Sequence, residues 1–268
     1  MQPSERWRHD LDSWRIPDAI LQSVAESPWG FPRGLFELSA EQALASEPSP
    51  SHQRSLEALG PGGTVLDVGC GGGAASLPLR ERASRVTGVD SSETMLAGFR
   101  ALAAEAGASV ETVLGEWPES GASVAPADVV VSHHVVYNVP VLVPFIQALH
   151  EHARRRVVIE LTRQHPLMGL NPLWLRFHGI ERPTRPTADD AVEVVREAGF
   201  EPQRQDWEGK PFEGAFSARD PAAYADWIRR RLCLPPGRLA DVVAAIAEAG
   251  GPGGVGSARH LTTLWWDV

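Results

Sequence analysis

The middle of the chain alternates short apolar runs with longer amphipathic segments. The apolar runs predict β-strands at residues 64–68, 86–90, 110–114, 128–133 and 156–161. The amphipathic segments between them predict helices at residues 74–82, 92–106 and 141–150. Strands that alternate with helices form a parallel sheet covered on both faces, so the pattern predicts a doubly wound α/β fold.

The segments on either side of this core have a different sequence pattern. Tryptophans and aliphatic residues, interrupted by Pro17, predict helices before residue 61, with a connector at 47–51. Two more strands are predicted at 201–207 and 260–268, seven in all. The predicted division is an N-terminal helical cap (1–60), a core (61–207, with a covering loop at 165–186), a helical insertion on the substrate side (208–258) and the last strand of the sheet (259–268).

The most informative stretch is Val65–Gly73, in which a buried strand runs into a glycine turn. The next strand ends at Asp90. Glycines let the backbone approach a ligand without a Cβ in the way, and a carboxylate at a strand tip can accept hydrogen bonds from a ribose diol. This is the outline of a nucleotide-binding α/β unit, and the glycines alone leave a dinucleotide and other nucleotide-like ligands open.

Asp67, inside the strand, separates these alternatives. An acid there would repel a pyrophosphate, which relies on N–H donors and a positive helix end, but would suit a ligand with an ammonium group. With its apolar-apolar-Asp-x-Gly-x-Gly-x-Gly motif, the chain resembles the class I S-adenosylmethionine-dependent methyltransferases. The resemblance implies S-adenosylmethionine as cofactor, S-adenosylhomocysteine as product, and a seven-stranded, mostly parallel sheet that ends in an antiparallel hairpin.

The resemblance also implies roles for particular residues. Asp67 would lie near the cofactor's amino group, Asp90 would bind the ribose, and Met95, Glu116 and Trp117 would surround the adenine. Structural roles remain open for them: a helix cap for Asp90, core packing for Met95, an acidic loop with a packing Trp for the last two. The implied cofactor-binding set is Asp67, Gly69, Cys70, Gly71, Gly73, Asp90, Ser91, Met95, Glu116, Trp117 and His133.

Candidate catalytic residues follow the fourth strand, at the edge where open α/β sheets bind ligands. His133 and His134 are candidate general bases because histidine titrates near neutrality. Strand alternation predicts that they point to opposite faces, so one of them would be catalytic, and we favour His134. A purely structural role remains the alternative for both. The predicted acceptor pocket contains Trp14, Trp29, Tyr137, Asn138 and His165.

The composition restricts the kinds of partner that this protein is expected to bind. The formal net charge of -9 argues against nucleic acid, and we interpret the cluster Arg154–Arg156 as a solvated helix end. No apolar run could cross a bilayer and no signal peptide is evident, so we expect a cytoplasmic protein. The sequence lacks the Asp…Asp-Asn set that binds a metal in catechol-type methyltransferases, so no bound metal is expected. Oligomeric state is not encoded in any recognisable feature.

These observations predict an enzyme that methylates an oxygen or nitrogen of a small-molecule acceptor. An RNA or protein methyltransferase would need a basic surface at the mouth of the site. A non-catalytic S-adenosylmethionine-binding module would need no acceptor pocket. An NAD-dependent oxidoreductase would leave Asp67 unexplained.

Overall fold

A computed structural model of the chain describes residues 1–31, 34–209, 214–255 and 260–268. Seven strands of this described part form one sheet, in the order β3-β2-β1-β4-β5-β7-β6. The strands are β1 Gly63–Val68, β2 Ala83–Asp90, β3 Val110–Leu114, β4 Ala127–His133, β5 Ala153–Thr162, β6 Gln203–Glu208 and β7 His260–Asp267. The first five run parallel, and β7 is antiparallel to β5 and β6. The predicted mostly parallel α/β sheet with an antiparallel last strand is confirmed.

Helices flank the sheet and fill the segments before it and before its last strand. Those before the sheet are α1 Pro3–Asp12, α2 Asp18–Leu21, α3 Leu35–Leu44 and α4 Pro50–Ala58. Those between strands are α5 Glu93–Glu105, α6 Leu142–Glu151, α7 Asn171–His178 and α8 Ala188–Glu197. Those between β6 and β7 are α9 Gly214–Arg219, α10 Pro221–Arg231, α11 Leu239–Glu248 and α12 Pro252–Val255. None of these described helices has the length and apolar character that a membrane span requires.

The sheet is buried on both faces because successive strand residues point to opposite sides. On β4, Val130 belongs to the apolar cluster that contains α6 and α8, whereas Val129 and Val131 belong to the cluster that contains α5. A third cluster joins α7, α10 and α11 to cap residues such as Ile16 and Leu35. The cap and the inserted helices therefore share a core, and α4 packs directly on β5. The predicted domain division stays a prediction.

The helix predicted at 74–82 is wrong. The chain there forms a 3-10 turn at Leu77–Leu79. Pro78 lacks an N–H group, and the Ser76 hydroxyl turns inward to donate a hydrogen bond to Asp67 at 2.6 Å. The segment after the glycine loop is therefore tied down under the loop and does not continue as a helix.

The connector predicted at 47–51 is too long: residues 47–49 link α3 to α4, but α4 already begins at Pro50. Ser49 is the N-cap, its hydroxyl accepts a hydrogen bond from the His52 N–H at 3.3 Å, and Pro50 occupies the first helical position. A serine cap followed by proline is a known signal for the start of a helix, so the beginning of α4 could have been predicted from the sequence.

The interpretation of Arg154–Arg156 as a helix end is likewise wrong, since all three residues lie in β5. Arg156 Nε lies 2.7 Å from Asp267 Oδ1. Arg155 Nε lies 3.6 Å from Asp128 Oδ1. Carboxylates on neighbouring elements thus compensate two of the three positive charges.

Candidate active site

The carboxyl ends of β1, β2 and β4 meet at a cleft of about 1720 Å³. Most of the predicted site residues line it. They are Gly69, Cys70, Gly71, Asp90, Ser91, Met95, Glu116, Trp117, His133, His134, Tyr137, Asn138, Trp14, Trp29 and His165. Asp67 and Gly73 are not among the lining residues. Pockets for one small molecule usually have about 300–1,000 Å³, so this cleft has room for two ligands side by side.

The glycine loop is shaped by backbone conformations that suit glycine. Gly69 has φ 73°, and a Cβ there would overlap the Val135 side chain. Gly73 has φ 91°, and a Cβ there would lie 2.6 Å from Phe99 Cδ2. Gly69 therefore keeps the loop open at the cleft, whereas Gly73 lets the loop pack on α5 from behind.

Asp90 ties this loop to the start of α5. Its Oδ2 accepts a hydrogen bond from the Gly71 N–H at 3.0 Å, and its Oδ1 accepts one from the Ser92 N–H at 2.9 Å. The N-cap of α5 is Ser92, so the alternative role of Asp90 as that cap is wrong. Each carboxylate oxygen keeps a second lone pair, and the side chain lines the cleft, so Asp90 can still accept hydrogen bonds from a ligand.

Asp67 lies fully buried behind the glycine loop. Its Oδ2 accepts the Ser76 hydrogen bond, while its Oδ1 has no hydrogen-bond partner among the described residues. Burial, opposed by the Ser76 hydrogen bond and reinforced by the charge of Asp90, raises the pKa of Asp67 to about 7. Asp67 Oδ1 is therefore a buried acceptor next to the loop that has no partner in the described part of the chain, and the Asp67 side chain does not line the cleft.

Glu116 and Trp117 lie beside Asp90 because the Gly115 N–H donates to the Asp90 backbone oxygen at 3.0 Å. Glu116 is exposed, and Trp117 is partly buried with its indole N–H donating to the Phe145 carbonyl at 3.4 Å. The structure thus brings the predicted ribose acid and the predicted adenine neighbours to one end of the cleft.

His133 and His134 reach the same partner, so the prediction that they point to opposite faces is wrong. β4 ends at His133, and His134 adopts a left-handed conformation with φ 60° that breaks strand alternation. His134 Nε2 lies 3.0 Å from Glu160 Oε1, and His133 Nδ1 lies 3.8 Å from Glu160 Oε2. Glu160, the partner that both histidines share, is not among the residues predicted from the sequence.

Glu160 is a buried carboxylate in the apolar strand β5. Burial alone would raise its pKa, but the histidines and a hydrogen bond from Ser51 outweigh burial and hold the pKa below its usual range. Burial lowers the pKa of His133 to about 4, so His133 is neutral at pH 7. Of the two histidines, His134 lies closer to the Glu160 carboxylate, and its hydrogen bond stabilises that anion. An acid within an apolar strand is rarely buried without a partner, and that rule is the signal that could have identified Glu160.

Aromatic rings form the other end of the cleft. Trp14 stacks on His165 with ring centroids 3.9 Å apart, and Tyr137 meets His165 edge-on at 5.2 Å. The Tyr137 hydroxyl donates to the Thr162 carbonyl at 2.7 Å, and burial chiefly raises the Tyr137 pKa. Burial, with the charge of a nearby arginine, lowers the pKa of His165 to about 3, so this end of the cleft carries a neutral imidazole.

The outer edge of the cleft holds the remaining predicted pocket residues. The Trp29 side chain is half exposed and Asn138 is exposed. Within the described ranges, no group of three or more His, Cys, Asp or Glu side chains is placed to hold a metal ion. The expectation that no metal is needed stays a prediction.

Comparison with known proteins gives matches in sequence and in fold. A family model described as a methyltransferase domain matches residues 65–156. The ubiquinone biosynthesis O-methyltransferase of Methylobacterium sp. (strain 4-46) is 38% identical over 97 residues, a match that covers 33% of this chain and 37% of that enzyme. The chain therefore spans little more than a third of the length of this curated relative.

Two solved structures share the fold at low sequence identity. A cyclopropane-fatty-acyl-phospholipid synthase-like protein from Lactobacillus casei ATCC 334 has a TM-score of 0.52 and 14% identity, covering 94% of this chain and 98% of that one. The magnesium protoporphyrin IX methyltransferase of Synechocystis PCC 6803, solved with bound SAH, has a TM-score of 0.50 and 20% identity, covering 75% and 89%. The matched segment 65–156 contains both the glycine loop and Asp90, so the methyltransferase-domain match covers the core of the candidate cofactor site. The sheet is mostly parallel with an antiparallel last strand, as the resemblance to class I S-adenosylmethionine-dependent methyltransferases implied.

Proposed function

We propose that this protein uses S-adenosylmethionine to methylate a hydroxyl oxygen of a small, largely apolar molecule that carries a ring. The observation that carries the proposal is the position of His134, which lines the same cleft as the glycine loop and lies 3.0 Å from the buried Glu160 carboxylate. The residues proposed to hold the cofactor and the candidate proton acceptor therefore line one cleft.

The residues at the cofactor end fit S-adenosylmethionine. Asp67 Oδ1 behind the loop, which no described residue hydrogen-bonds, suits an ammonium group reached through the loop or a bridging water. The free lone pairs of Asp90 suit a ribose diol, and Met95, Glu116 and Trp117 line the space beyond it. When bound, the cofactor supplies a methyl group on a positively charged sulfur, which is the electrophile of the reaction.

The opposite end of the cleft fits an apolar acceptor. Its walls come from the helical cap and the inserted helices as well as from the segment after β5. The apolar side chains that line this end are Trp14, Ile16, Leu21, Trp29, Phe31, Leu167, Leu170, Trp227 and Ile228. Aromatic and aliphatic walls favour a flat molecule with a large apolar face. Charged side chains of the cap and the insertion also line the cleft, namely Glu5, Arg8, Asp12, Arg15, Asp18 and Arg231. We therefore propose that the cap and the insertion, residues 1–60 and 208–258, enclose the acceptor.

Oxygen is the proposed methyl acceptor because a hydroxyl needs a base, and His134 in the cleft is the candidate for that base. His134 would remove the proton while the surrounding side chains hold the hydroxyl in line with the methyl group. The Methylobacterium relative, whose name states O-methylation, supports oxygen over nitrogen, although its match covers only the core.

The test combines binding and turnover. Titration calorimetry should detect S-adenosylmethionine and S-adenosylhomocysteine and no NAD; NAD binding without S-adenosylmethionine binding would overturn the cofactor assignment. Matched phenol and aniline acceptors, offered with radiolabelled cofactor, then separate oxygen from nitrogen. Transfer to the aniline alone would refute the proposed acceptor atom. Cofactor binding without transfer to any acceptor in a broad hydroxylated panel would favour a binding module.

A further inference from the structure

We propose that His165 selects the methyl acceptor by donating a hydrogen bond from Nε2 to an oxygen of a carbonyl or carboxylate group on that molecule. This role rests on the proposed function, because it names the class of molecule that enters the same cleft. That class is a hydroxylated ring that carries a second, hydrogen-bond-accepting oxygen. His165 thereby receives a task that neither the glycine motif nor the proton transfer involves.

His165 lies at the acceptor end of the cleft. It follows β5, and its side chain lines the cleft together with Trp14 and Tyr137. Trp14 comes from the segment after α1, and Tyr137 lies in the short turn after β4, so three distant segments meet at this point. His165 is 7% exposed, and because the residue lines the cleft, this small accessible surface faces the cleft.

A backbone hydrogen bond determines which ring nitrogen of His165 carries the proton. The Leu167 N–H donates to His165 Nδ1 at 3.3 Å, so Nδ1 must hold a lone pair. Burial, assisted by the charge of Arg182, lowers the pKa of His165 to about 3, so the ring is neutral at pH 7. A neutral imidazole has one ring proton, which is therefore on Nε2.

Nε2 is the ring nitrogen that remains for a ligand. Within the described residues, the Leu167 N–H alone hydrogen-bonds to the His165 ring, and it uses Nδ1. The enclosed side-chain atoms that lack a partner do not include His165 Nε2. An N–H group that is neither paired with the protein nor enclosed by it donates to water or to a ligand. The cleft therefore contains a neutral hydrogen-bond donor at its aromatic end.

Two aromatic rings hold the His165 imidazole in one orientation. Trp14 stacks on its face with ring centroids 3.9 Å apart, and Tyr137 meets it edge-on at 5.2 Å. Both rings are themselves fixed, because the Trp14 indole N–H donates to the Arg185 carbonyl at 2.6 Å and the Tyr137 hydroxyl donates to the Thr162 carbonyl at 2.7 Å. The donor therefore loses little conformational freedom when a ligand binds, which favours selectivity.

The chemistry of this donor favours an oxygen with lone pairs. An N–H group attracts a hydrogen-bond acceptor and disfavours an ammonium group. The guanidinium of Arg182, whose central carbon lies 5.7 Å from the centroid of the Trp14 ring, adds positive potential on the same side. A carbonyl or carboxylate oxygen satisfies both groups. Such an oxygen can lie in the plane of an aromatic ring, so it is compatible with a flat molecule between aromatic walls.

Matched acceptors measure this selectivity. Each of the three hydroxyacetophenone isomers is paired with the corresponding ethylphenol, which has a methylene group in place of the carbonyl. The ratio of kcat/KM within a pair is measured with radiolabelled S-adenosylmethionine. Its change between wild type and variant cancels the different reactivities of the two phenols. The hydroxybenzoate isomers, offered in parallel, distinguish a carboxylate from a ketone as the source of the oxygen.

Two variants separate ligand binding from a structural role of His165. Asparagine keeps an oxygen that can accept the Leu167 N–H but has no donor at the position of Nε2, whereas glutamine places an amide donor there and is the poorer cap. His165→Asn should lower the preference for the carbonyl or carboxylate compound about 3- to 10-fold for at least one isomer, as expected for one hydrogen bond. His165→Gln should retain the preference. An unchanged preference in His165→Asn, or its loss in His165→Gln alone, would overturn the inference.

Measurements without turnover separate this inference from the proposed function. Calorimetric titration of the same compounds, with and without S-adenosylhomocysteine, should show the same dependence on the residue at position 165. If no methyl group is transferred but this dependence is present, the proposed function fails and the inference stands. Methyl transfer without the dependence would leave the function and remove the inference. Nitrogen-15 spectra of the wild-type ring should show the proton on Nε2, and a proton on Nδ1 would overturn the inference.

His178 supplies a matched control. Its ring also lies against a tryptophan, 4.8 Å from Trp174, and its Nε2 lies 2.6 Å from the Leu232 carbonyl oxygen, but it does not line the cleft. His178→Asn should leave the kcat/KM ratio of every pair unchanged. Equal losses of selectivity in His178→Asn and His165→Asn would show that the effect comes from packing and would overturn the inference.

Discussion

Replacing Asp90 by Asn should weaken S-adenosylmethionine binding far more than it weakens the fold. In the structure both carboxylate oxygens of Asp90 accept backbone N–H bonds, from Gly71 at 3.0 Å and Ser92 at 2.9 Å. Their remaining lone pairs are the proposed acceptors for the ribose hydroxyls. Asparagine keeps one oxygen and places an amide donor against one of the two N–H groups, so one ribose hydrogen bond is lost.

The magnitude follows from the charge on the acceptor. A hydrogen bond to a charged group contributes about 1.5–3 kcal/mol, so the Kd for S-adenosylmethionine should rise about 10- to 150-fold. A matched control exists at the opposite edge of the sheet. Asp128, at the start of β4, also accepts a backbone N–H, from Thr64 at 2.8 Å, and is likewise partly buried. Asp128→Asn should cost similar stability without affecting the cleft.

The assay is titration calorimetry of both variants, with urea unfolding to measure the loss of folding free energy. We expect similar stability losses in the two proteins and a change in Kd in Asp90→Asn alone. An unchanged Kd in Asp90→Asn would remove the ribose role, and equal losses of affinity in both variants would show that the effect is one of folding.

Three further changes test the packing and the buried titratable groups. Gly72→Ala should lower the urea midpoint, at a cost of about 1–3 kcal/mol, because its Cβ would lie 2.5 Å from the Phe36 carbonyl oxygen; Gly237→Ala, in open space, should change stability by less than about 0.5 kcal/mol. Burial lowers the pKa of His165 from 6.5 to about 3, so between these pH values the unfolded chain binds a proton that the folded protein does not, and the folding stability falls as the pH drops. His165→Phe should reduce the slope of stability against pH by about 1.4 kcal/mol per pH unit over this range. An unchanged slope would contradict the burial argument. Burial raises the pKa of Asp67 from 3.8 to about 7, so the folded protein keeps a proton that the unfolded chain loses, and the resulting contribution to folding stability is lost as the pH rises between these values. The stability of Asp67→Asn relative to wild type should therefore increase over that range. A constant difference in stability would mean that Asp67 titrates normally.

Those features of the fold that depend on periodic patterns could be predicted from the sequence. The strands, their parallel arrangement and the glycine turn follow from apolar runs and from a motif with few alternatives. The helix predicted after the turn failed because its pattern was too short to outweigh Pro78 and the inward hydrogen bond of Ser76. The start of α4 was not predicted, although Ser49 and Pro50 form a typical helix N-cap and first helical position.

The candidate site was less predictable because it depends on contacts between distant segments. Asp90 and the glycines occupy one motif, so their proximity could be expected. Glu160 is distant in sequence from His134 and meets it only because β4 and β5 are neighbours in the sheet. The shared partner also required His134 to leave the strand conformation, which alternation rules do not foresee.

The position of β7 between β5 and β6 has a consequence for how the molecule assembles. β6 precedes β7 in the chain but is paired with the rest of the sheet only through β7. β6 therefore cannot join the sheet until β7 has paired with β5. Until then β5 is an unpaired edge, and such edges favour association with other chains. The contacts involved are distant in sequence, which slows their formation. We therefore expect refolding to end with the joining of β7, and the Ser51–Thr263 contact behind Glu160 to form in that last step.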